Sequence, residues 1–338
     1  MTLSARVQSA AVELDVVFLG TSGSMPTAKR ALSATLVRRG GDRLLFDCSE
    51  GTQRQLLRSD VGLVELEEIF LTHYHADHYL GLPGMLKTFA LRGREVPLTV
   101  YGPPGLDELF ATLRRIFGRL TYPLAAVELE AGTVLERDGY RIEAFAVDHR
   151  VTAIGYALVE NSRPGRFDVD VATSLGVPDG PERGVLQRGE SVSLADGRVV
   201  TPDDVLGEPR AGRKVVLSGD TAPCASVVEA AAGADVLVHE ATFLADERAR
   251  ARETSHSTAG EAALVAQEAG VKLLALTHVS TRYFGHQVVE EATQVFPATV
   301  VPRDFDVVVI PFPERGEPEL VRSGARAGRA PALGSVES

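Results

Sequence analysis

Short apolar runs recur along this chain, and each stops at a polar residue able to hold a metal or a proton. Val16 to Leu19 run into Gly20-Thr21-Ser22-Gly23, Leu44 to Phe46 into Asp47, and Glu68 to Leu71 into Thr72-His73. Further on, Ile142 to Val147 run into Asp148-His149, Val215 to Leu217 into Ser218-Gly219-Asp220, Val236 to Val238 into His239-Glu240, and Leu273 to Leu276 into Thr277-His278. Bounded runs of this kind predict strands buried on both faces. Helical spacing fills the gaps: Leu106, Leu109, Phe110, Leu113 and Phe117 share one face of a helix predicted over Pro104 to Phe117. A capping box of Thr258 with Glu261 opens another helix, which Gly270 closes. The pattern predicts an α/β fold with sheets between helices and candidate ligands gathered at one end of the strands.

Residues 160–213 interrupt the pattern. They are rich in Gly, Pro and charge, with one hairpin signal at Asp196-Gly197 between Val192-Ser193-Leu194 and Val199-Val200. Their apolar periodicity is too sparse to bury a core of its own. They are expected to form an inserted arm projecting from a catalytic body over 12–313, and so long an excursion marks a functional element. Residues 314–338, Gly, Ala, Arg and Pro without periodicity, predict a disordered tail.

Composition narrows the setting. With 338 residues, 44% of them hydrophobic, the chain can bury a large core, and only Cys48 and Cys224 are present, so there is no disulfide framework. The segment through Leu14 lacks a continuous apolar stretch, and no later run reaches the length of a membrane span. A cytoplasmic protein without a membrane partner is expected. The net charge of −11 argues on its face against a nucleic-acid partner. Docking, however, is decided by the local field, and two bound divalent ions would put about four positive charges at one point.

That point is the segment His73-Tyr-His75-Ala-Asp77-His78, which packs four potential ligands into six residues. Residues two apart on an extended segment point the same way, so His73 and His75 can reach one ion. After a turn, Asp77 and His78 can face a second. Imidazole and carboxylate suit zinc, and also manganese or iron. A binuclear site needs further ligands from elsewhere, and the other strand ends offer His149, Asp220 and His278. A central carboxylate such as Asp220 can bridge two ions and fix their spacing at about 3.5–4 Å.

His73-x-His75-x-Asp77-His78 followed by isolated His149, Asp220 and His278 resembles the metallo-β-lactamase superfamily. The resemblance implies a four-layer αββα sandwich with metals at one edge of its two sheets. It also implies that His73, His75 and His149 hold one zinc, that Asp77, His78 and His278 hold the other, and that Asp220 bridges them. Over nearly all of 15–312 the chain further resembles the ribonuclease Z family. The matching stretches are Phe18-Leu-Gly-Thr21, Leu45-Phe-Asp-Cys48 with Glu50-Gly-Thr-Gln-Arg54, Gly219-Asp-Thr221, His239-Glu-Ala-Thr-Phe243, His256-Ser-Thr258 and Leu276-Thr-His-Val-Ser-Thr-Arg-Tyr283. The insertion, with Gly176-Val-Pro-Asp-Gly-Pro181, is similar to that family's tRNA-gripping arm.

By this resemblance the chain is a zinc-dependent endoribonuclease that removes the 3′ trailer of precursor tRNA and leaves a 3′-hydroxyl on the tRNA. It would act as a homodimer with two zinc ions per subunit, manganese being the substitute. Asp77 would orient the nucleophile or take its proton, and His256 would protonate the leaving oxygen with Glu240 setting its protonation. Arg282 would touch a phosphate, and the loop with Lys29 and Arg30 would bear on how the tRNA 3′ end is read. That loop departs from the family pattern, with Ala28 in place of lysine and Ala31 in place of asparagine, which leaves the cleavage position open. His239 reads as structural, and His286 has no role in this scheme. Within the arm, ten acidic residues outnumber seven arginines, so salt-sensitive RNA binding is expected, with a local basic tip around Arg183 and Arg188. The alternative is a phosphodiesterase of the same fold acting on small or cyclic diesters, which would have no need of a distant grip.

Overall fold

The computed structural model describes residues 12–63 and 66–323. The described residues form two compact units: one is drawn from the segments 1–135, 142–158 and 214–338, and the other from 136–141 and 159–213.

In the larger unit the first strands are β1 (Leu14–Gly20), β2 (Ala34–Arg39), β3 (Asp42–Phe46), β4 (Glu68–Phe70), β5 (Leu98–Gly102) and β6 (Leu124–Glu128). Helices α1 (Thr52–Arg58), α2 (Ala76–Tyr79), α3 (Leu82–Leu91) and α4 (Leu106–Phe117) lie between them. Strands β1 to β3 pair antiparallel, β2 to β3 through a tight turn at Gly40-Gly41 and β1 to β2 through a longer loop over 21–33, whereas β3 to β6 run parallel, each reached through a helical crossover. Alternate side chains point to opposite faces. Val17, Leu19, Leu36, Leu45, Ile69 and Val100 meet Leu56 of α1, Met85, Leu86 and Phe89 of α3, and Phe110, Leu113 and Phe117 of α4 in one core.

On the other face, the Phe46 and Phe70 rings stack at 5.0 Å and meet Tyr156 at 5.5 and 5.4 Å. Tyr156 belongs to the second sheet, whose order is β15-β14-β13-β12-β9-β8-β7. Its strands are β7 (Val134–Arg137), β8 (Tyr140–Ala146), β9 (Ile154–Glu160), β12 (Lys214–Leu217), β13 (Val236–Glu240), β14 (Leu273–Thr277) and β15 (Thr299–Val300). The Tyr156 hydroxyl donates to the Leu71 carbonyl at 2.7 Å, so the buried phenol is satisfied across the sheet interface. Helices α8 (Ala225–Ala231), α10 (Ala259–Ala269) and α11 (Gly285–Thr293) pack on the parallel half, against β12, β13, β14 and β15. The layers are therefore helix, sheet, sheet, helix, as the resemblance implies.

Most predicted elements form where the pattern put them. The Thr258–Glu261 capping box opens α10, and Gly270 closes it at φ +63°. Three expectations need correction. The run Ile142 to Val147 is not buried on both faces: in β8, burial alternates with partial exposure, so only one face meets a core. The tail does not begin at 314, because β16 (Val307–Val309) pairs with β17 (Glu319–Val321) at the edge of the first sheet; of the expected tail, 324–338 lie outside the described residues.

The smaller unit also departs from expectation, since it has a core of its own. It contains α5 (Val169–Ser174), α6 (Pro181–Gln187), β10 (Val192–Ser193), β11 (Val199–Val200) and α7 (Pro202–Val205). Ala172, Val177, Leu186, Val192, Val200 and Val205 are buried together. The predicted hairpin is the β10–β11 pair. Arg213 and Glu160 form a buried bidentate pair, Nε to Oε2 at 2.7 Å and Nη2 to Oε1 at 2.8 Å. The expected basic tip is reduced: Arg183 turns onto the carbonyls of Pro178 and Val177 and onto Thr173, leaving Arg188 exposed beside Glu190.

Candidate metal centre

Each candidate ligand leaves a strand end on the same edge of the sandwich. His73 and His75 follow β4 in extended chain, and α2 then begins, carrying Asp77 and His78. His149 follows β8, Asp220 follows β12 and His278 follows β14. Gly219 makes the turn before Asp220 at φ +64°, where a Cβ would also come within 2.9 Å of Thr72. His278 and Asp47 sit at φ 54° and 58°, a region that non-glycine residues occupy only when surrounding contacts hold them there.

The structure brings all seven predicted ligands together. His73 Nε2 and His149 Nε2 lie 3.0 and 3.2 Å from His75 Nδ1. Asp77 Oδ2 lies 3.3 Å from His278 Nε2 and 3.8 Å from His78 Nε2. Between these two triads, Asp220 Oδ2 is 3.3 Å from both His78 Nε2 and His278 Nε2, and 3.8 Å from His73 Nε2. One carboxylate oxygen therefore faces both groups.

The remote ring nitrogens fix which atom points inward. His78 Nδ1 donates to Asp47 at 2.7 Å, and His149 Nδ1 donates to the Ser255 carbonyl at 2.9 Å. His73 Nδ1 bonds Thr72 Oγ1 at 3.0 Å while that hydroxyl donates to Asp47, and His278 Nδ1 bonds Thr242 Oγ1 at 2.8 Å. Each ring thus keeps its Nε2 free for the cluster, whereas His75, half-buried, presents Nδ1. Sequence reasoning noticed Asp47 as a strand end but gave it no task, and it assigned no part to Thr72, Thr242 or Ser255.

These positions test whether divalent metals fit. His78 Nε2 is buried without a hydrogen-bond partner among the described residues, an atom that a metal would satisfy. Burial and the neighbouring His78 hold His73 well below the usual imidazole range, and burial with His149 lowers His75, so both are neutral and able to ligate. Against the cost of burial, Asp220 and Asp47 raise His78. Asp77 and Asp220, also despite burial, are pulled down by the facing histidines and stay ionised. Five imidazoles and two carboxylates make a donor set suited to two borderline divalent ions.

His256 and Glu240 lie beside the cluster. His256 Nδ1 donates to Glu240 Oε1 at 2.6 Å, and its ring stacks 5.5 Å from His278 at 17°. Burial would lower its pKa, yet Glu240 raises it to about 9. Glu240 is itself no free ligand: its oxygens accept from Thr221 N, Thr242 N, Thr242 Oγ1 and His256. The proposed substrate contacts are less tightly grouped. Lys29 is exposed. Arg30 is tied through Nη1 to Thr21 Oγ1 at 2.8 Å and to the Pro302 carbonyl at 3.3 Å. Arg282 is largely exposed, with its guanidinium 3.7 Å from Glu247. His239 is fully buried and donates to the Glu240 carbonyl, a structural position.

Residues 29–278 match the metallo-beta-lactamase superfamily model. The ribonuclease Z of Myxococcus xanthus is 53% identical over 271 residues, covering 80% of this chain and 88% of that protein. The ribonuclease Z of Methanosarcina acetivorans is 46% identical, covering 88% and 99% respectively. Among solved structures, the short form of human tRNase Z has a TM-score of 0.64 at 27% identity, covering 88% of this chain and 99% of that one. A metallo-beta-lactamase fold protein of Bacillus subtilis has a TM-score of 0.65 at 21% identity and shares the fold.

Proposed function

This chain belongs to the metallo-β-lactamase superfamily and, within it, to the ribonuclease Z family, and from that premise we propose that it is a metal-dependent endoribonuclease that removes the 3′ trailer of precursor tRNA. The observation that carries the reading is the pairing of a two-triad ligand cluster with a charged histidine, His256, on a buried carboxylate at the same edge.

In this reading His73, His75 and His149 hold one zinc, Asp77, His78 and His278 the other, and Asp220 faces both. Bound there, the ions would lower the pKa of a water and neutralise charge on the phosphodiester. The protein supplies the rest. Asp77 Oδ2 accepts from Ser24 N at 2.8 Å, which fixes the carboxylate where it can orient the attacking water and take its proton. Glu240 holds His256 Nδ1, leaving the opposite nitrogen to protonate the leaving 3′ oxygen of the tRNA. Zinc is favoured by the imidazole-rich donor set, with manganese as a substitute.

The smaller unit is the proposed tRNA grip, a role that rests on resemblance and on its independent core, since a small diester needs no such appendage. The proposed homodimer rests on the family resemblance alone. No helix among the described residues is long and apolar enough to cross a membrane, and the two free cysteines accord with the proposed cytoplasmic setting.

The test is purified protein with zinc or manganese, given precursor tRNA and a chromogenic diester, with RNA ends mapped to the nucleotide. Trailer release with a 3′-hydroxyl on the tRNA is expected. Diester hydrolysis without RNA cleavage would instead favour the small-substrate alternative.

A further inference from the structure

The loop that leaves His278 ends in an exposed aromatic pair that the catalytic scheme does not use. Phe284 is 72% exposed, and its ring lies 5.8 Å from that of His286, 13° from parallel. His286 is also the one exposed histidine of the eight. The pair is held in place, because Phe284 N donates to Gln287 Oε1 at 2.9 Å and buried Val288 anchors the helix that follows.

One arginine adjoins this platform and leads to a basic groove. The Arg30 guanidinium sits against Gly285, where an added Cβ would come within 3.0 Å of Nη2. Arg30 and Lys29 form one wall of a groove of about 620 Å³ whose lining also includes Arg54, Arg58 and Arg303, with Glu50 and Asp304 as its acids. In a chain of net charge −11 this is a local excess of positive charge. The same loop is stitched to the metal edge: Val279 N donates to the Thr21 carbonyl at 3.1 Å, Gly23 N to the Val279 carbonyl at 3.2 Å, and Ser24 N to Asp77. An exposed flat ring beside a basic groove is the arrangement that binds single-stranded nucleic acid, with a base on the ring and phosphates along the cations.

We propose that Phe284, backed by His286, is a stacking site for one unpaired nucleobase in the 3′ region of the RNA substrate, with the adjoining backbone lying in the groove at Lys29 and Arg30. The proposal rests on the tRNA-processing reading and deepens it by naming what the surface beside the metals recognises. A second protein copy seated on Phe284 is the competing occupant, and the charge of the groove favours RNA.

The experiment uses the full-length holoenzyme, its Phe284→Ala and Phe284→Trp variants, and precursor tRNA carrying 2-aminopurine at each unpaired 3′ position in turn. Binding to the wild-type protein should quench fluorescence at one position; Phe284→Ala should abolish the quench, and Phe284→Trp should keep it. The KM for precursor tRNA should rise roughly 5- to 150-fold in Phe284→Ala, the loss expected for one base–aromatic stack, with kcat changed less. Metal content and Tm equal to wild type establish that the variant is folded. Cleavage by the wild type with an unchanged quench and KM in Phe284→Ala overturns this proposal alone, as does a variant whose only defect is weakened self-association. A wild type that neither binds nor cleaves the precursor overturns the tRNA reading and this proposal with it.

Discussion

Replacing Glu240 by glutamine should move the proton of His256 and, with it, the alkaline limit of activity. The wild-type carboxylate accepts four hydrogen bonds, two on each oxygen, from Thr221 N, His256 Nδ1, Thr242 N and Thr242 Oγ1. A glutamine NH2 in either orientation faces a backbone N–H, of Thr221 or Thr242, so at least one of the four contacts is lost whichever way the amide turns. The charge is lost as well. Raising His256 from 6.5 to about 9 corresponds to about 3 kcal/mol of preference for the imidazolium, at about 1.4 kcal/mol per tenfold. Because the folded-state value is raised, this contribution is fully present below 6.5 and disappears as pH rises through about 9. Without Glu240, burial outweighs the remaining pull of Asp220, 3.9 Å away, and lowers the value, so the ring is neutral at about pH 8, where the wild type is still charged. Titrating His256 by NMR in metal-stripped protein should show the midpoint falling by two or more pH units in Glu240→Gln. The alkaline limb of kcat for precursor cleavage should move the same way, and kcat should fall about 10²- to 10⁴-fold at neutral pH, the range for losing a general acid. An unmoved midpoint would refute the electrostatic argument. A moved midpoint with an unmoved alkaline limb would remove His256 from the acid role.

Other consequences can be checked directly. Asp47→Asn should weaken zinc binding about 10- to 100-fold by releasing the His78 ring, as measured by chelator competition. Gly23→Ala should displace His278, because the added carbon would lie 2.5 Å from its Nδ1; metal analysis should find less than two equivalents bound. Glu160→Gln should destabilise the smaller unit by about 3–5 kcal/mol, the cost of removing one charge from the buried Arg213–Glu160 pair. Denaturant unfolding or limited proteolysis within 159–213 would reveal that loss, and resistance equal to wild type would contradict it.

Much of this site was legible in the chain because its ligands obey a local rule: an apolar run ends and a ligand follows. His73, His149, Asp220 and His278 could each be read that way without knowledge of the others. Asp47 obeys the same rule, but its task depends on a contact with His78, 31 positions away, that no local pattern encodes. Thr242 was hidden for a similar reason, since it serves His278 across 36 positions. The core of the smaller unit escaped notice because its buried residues are scattered over helices of four to seven residues, two-residue strands and a loop, too short for a period to emerge. Strand β17 was missed because its three residues gain their conformation from β16 rather than from their own sequence.

The spread of ligands along the chain also orders events during synthesis. The triad of His73, His75 and His149 has all its members once residue 149 has been made. The triad of Asp77, His78 and His278 must wait for a residue 201 positions beyond Asp77. Even the first triad needs later residues for its final arrangement, because the Ser255 carbonyl holds His149 and Asp220 faces His73. In the proposed assignment the paired centre therefore cannot form before residue 278 has been made, when most of the chain is already present.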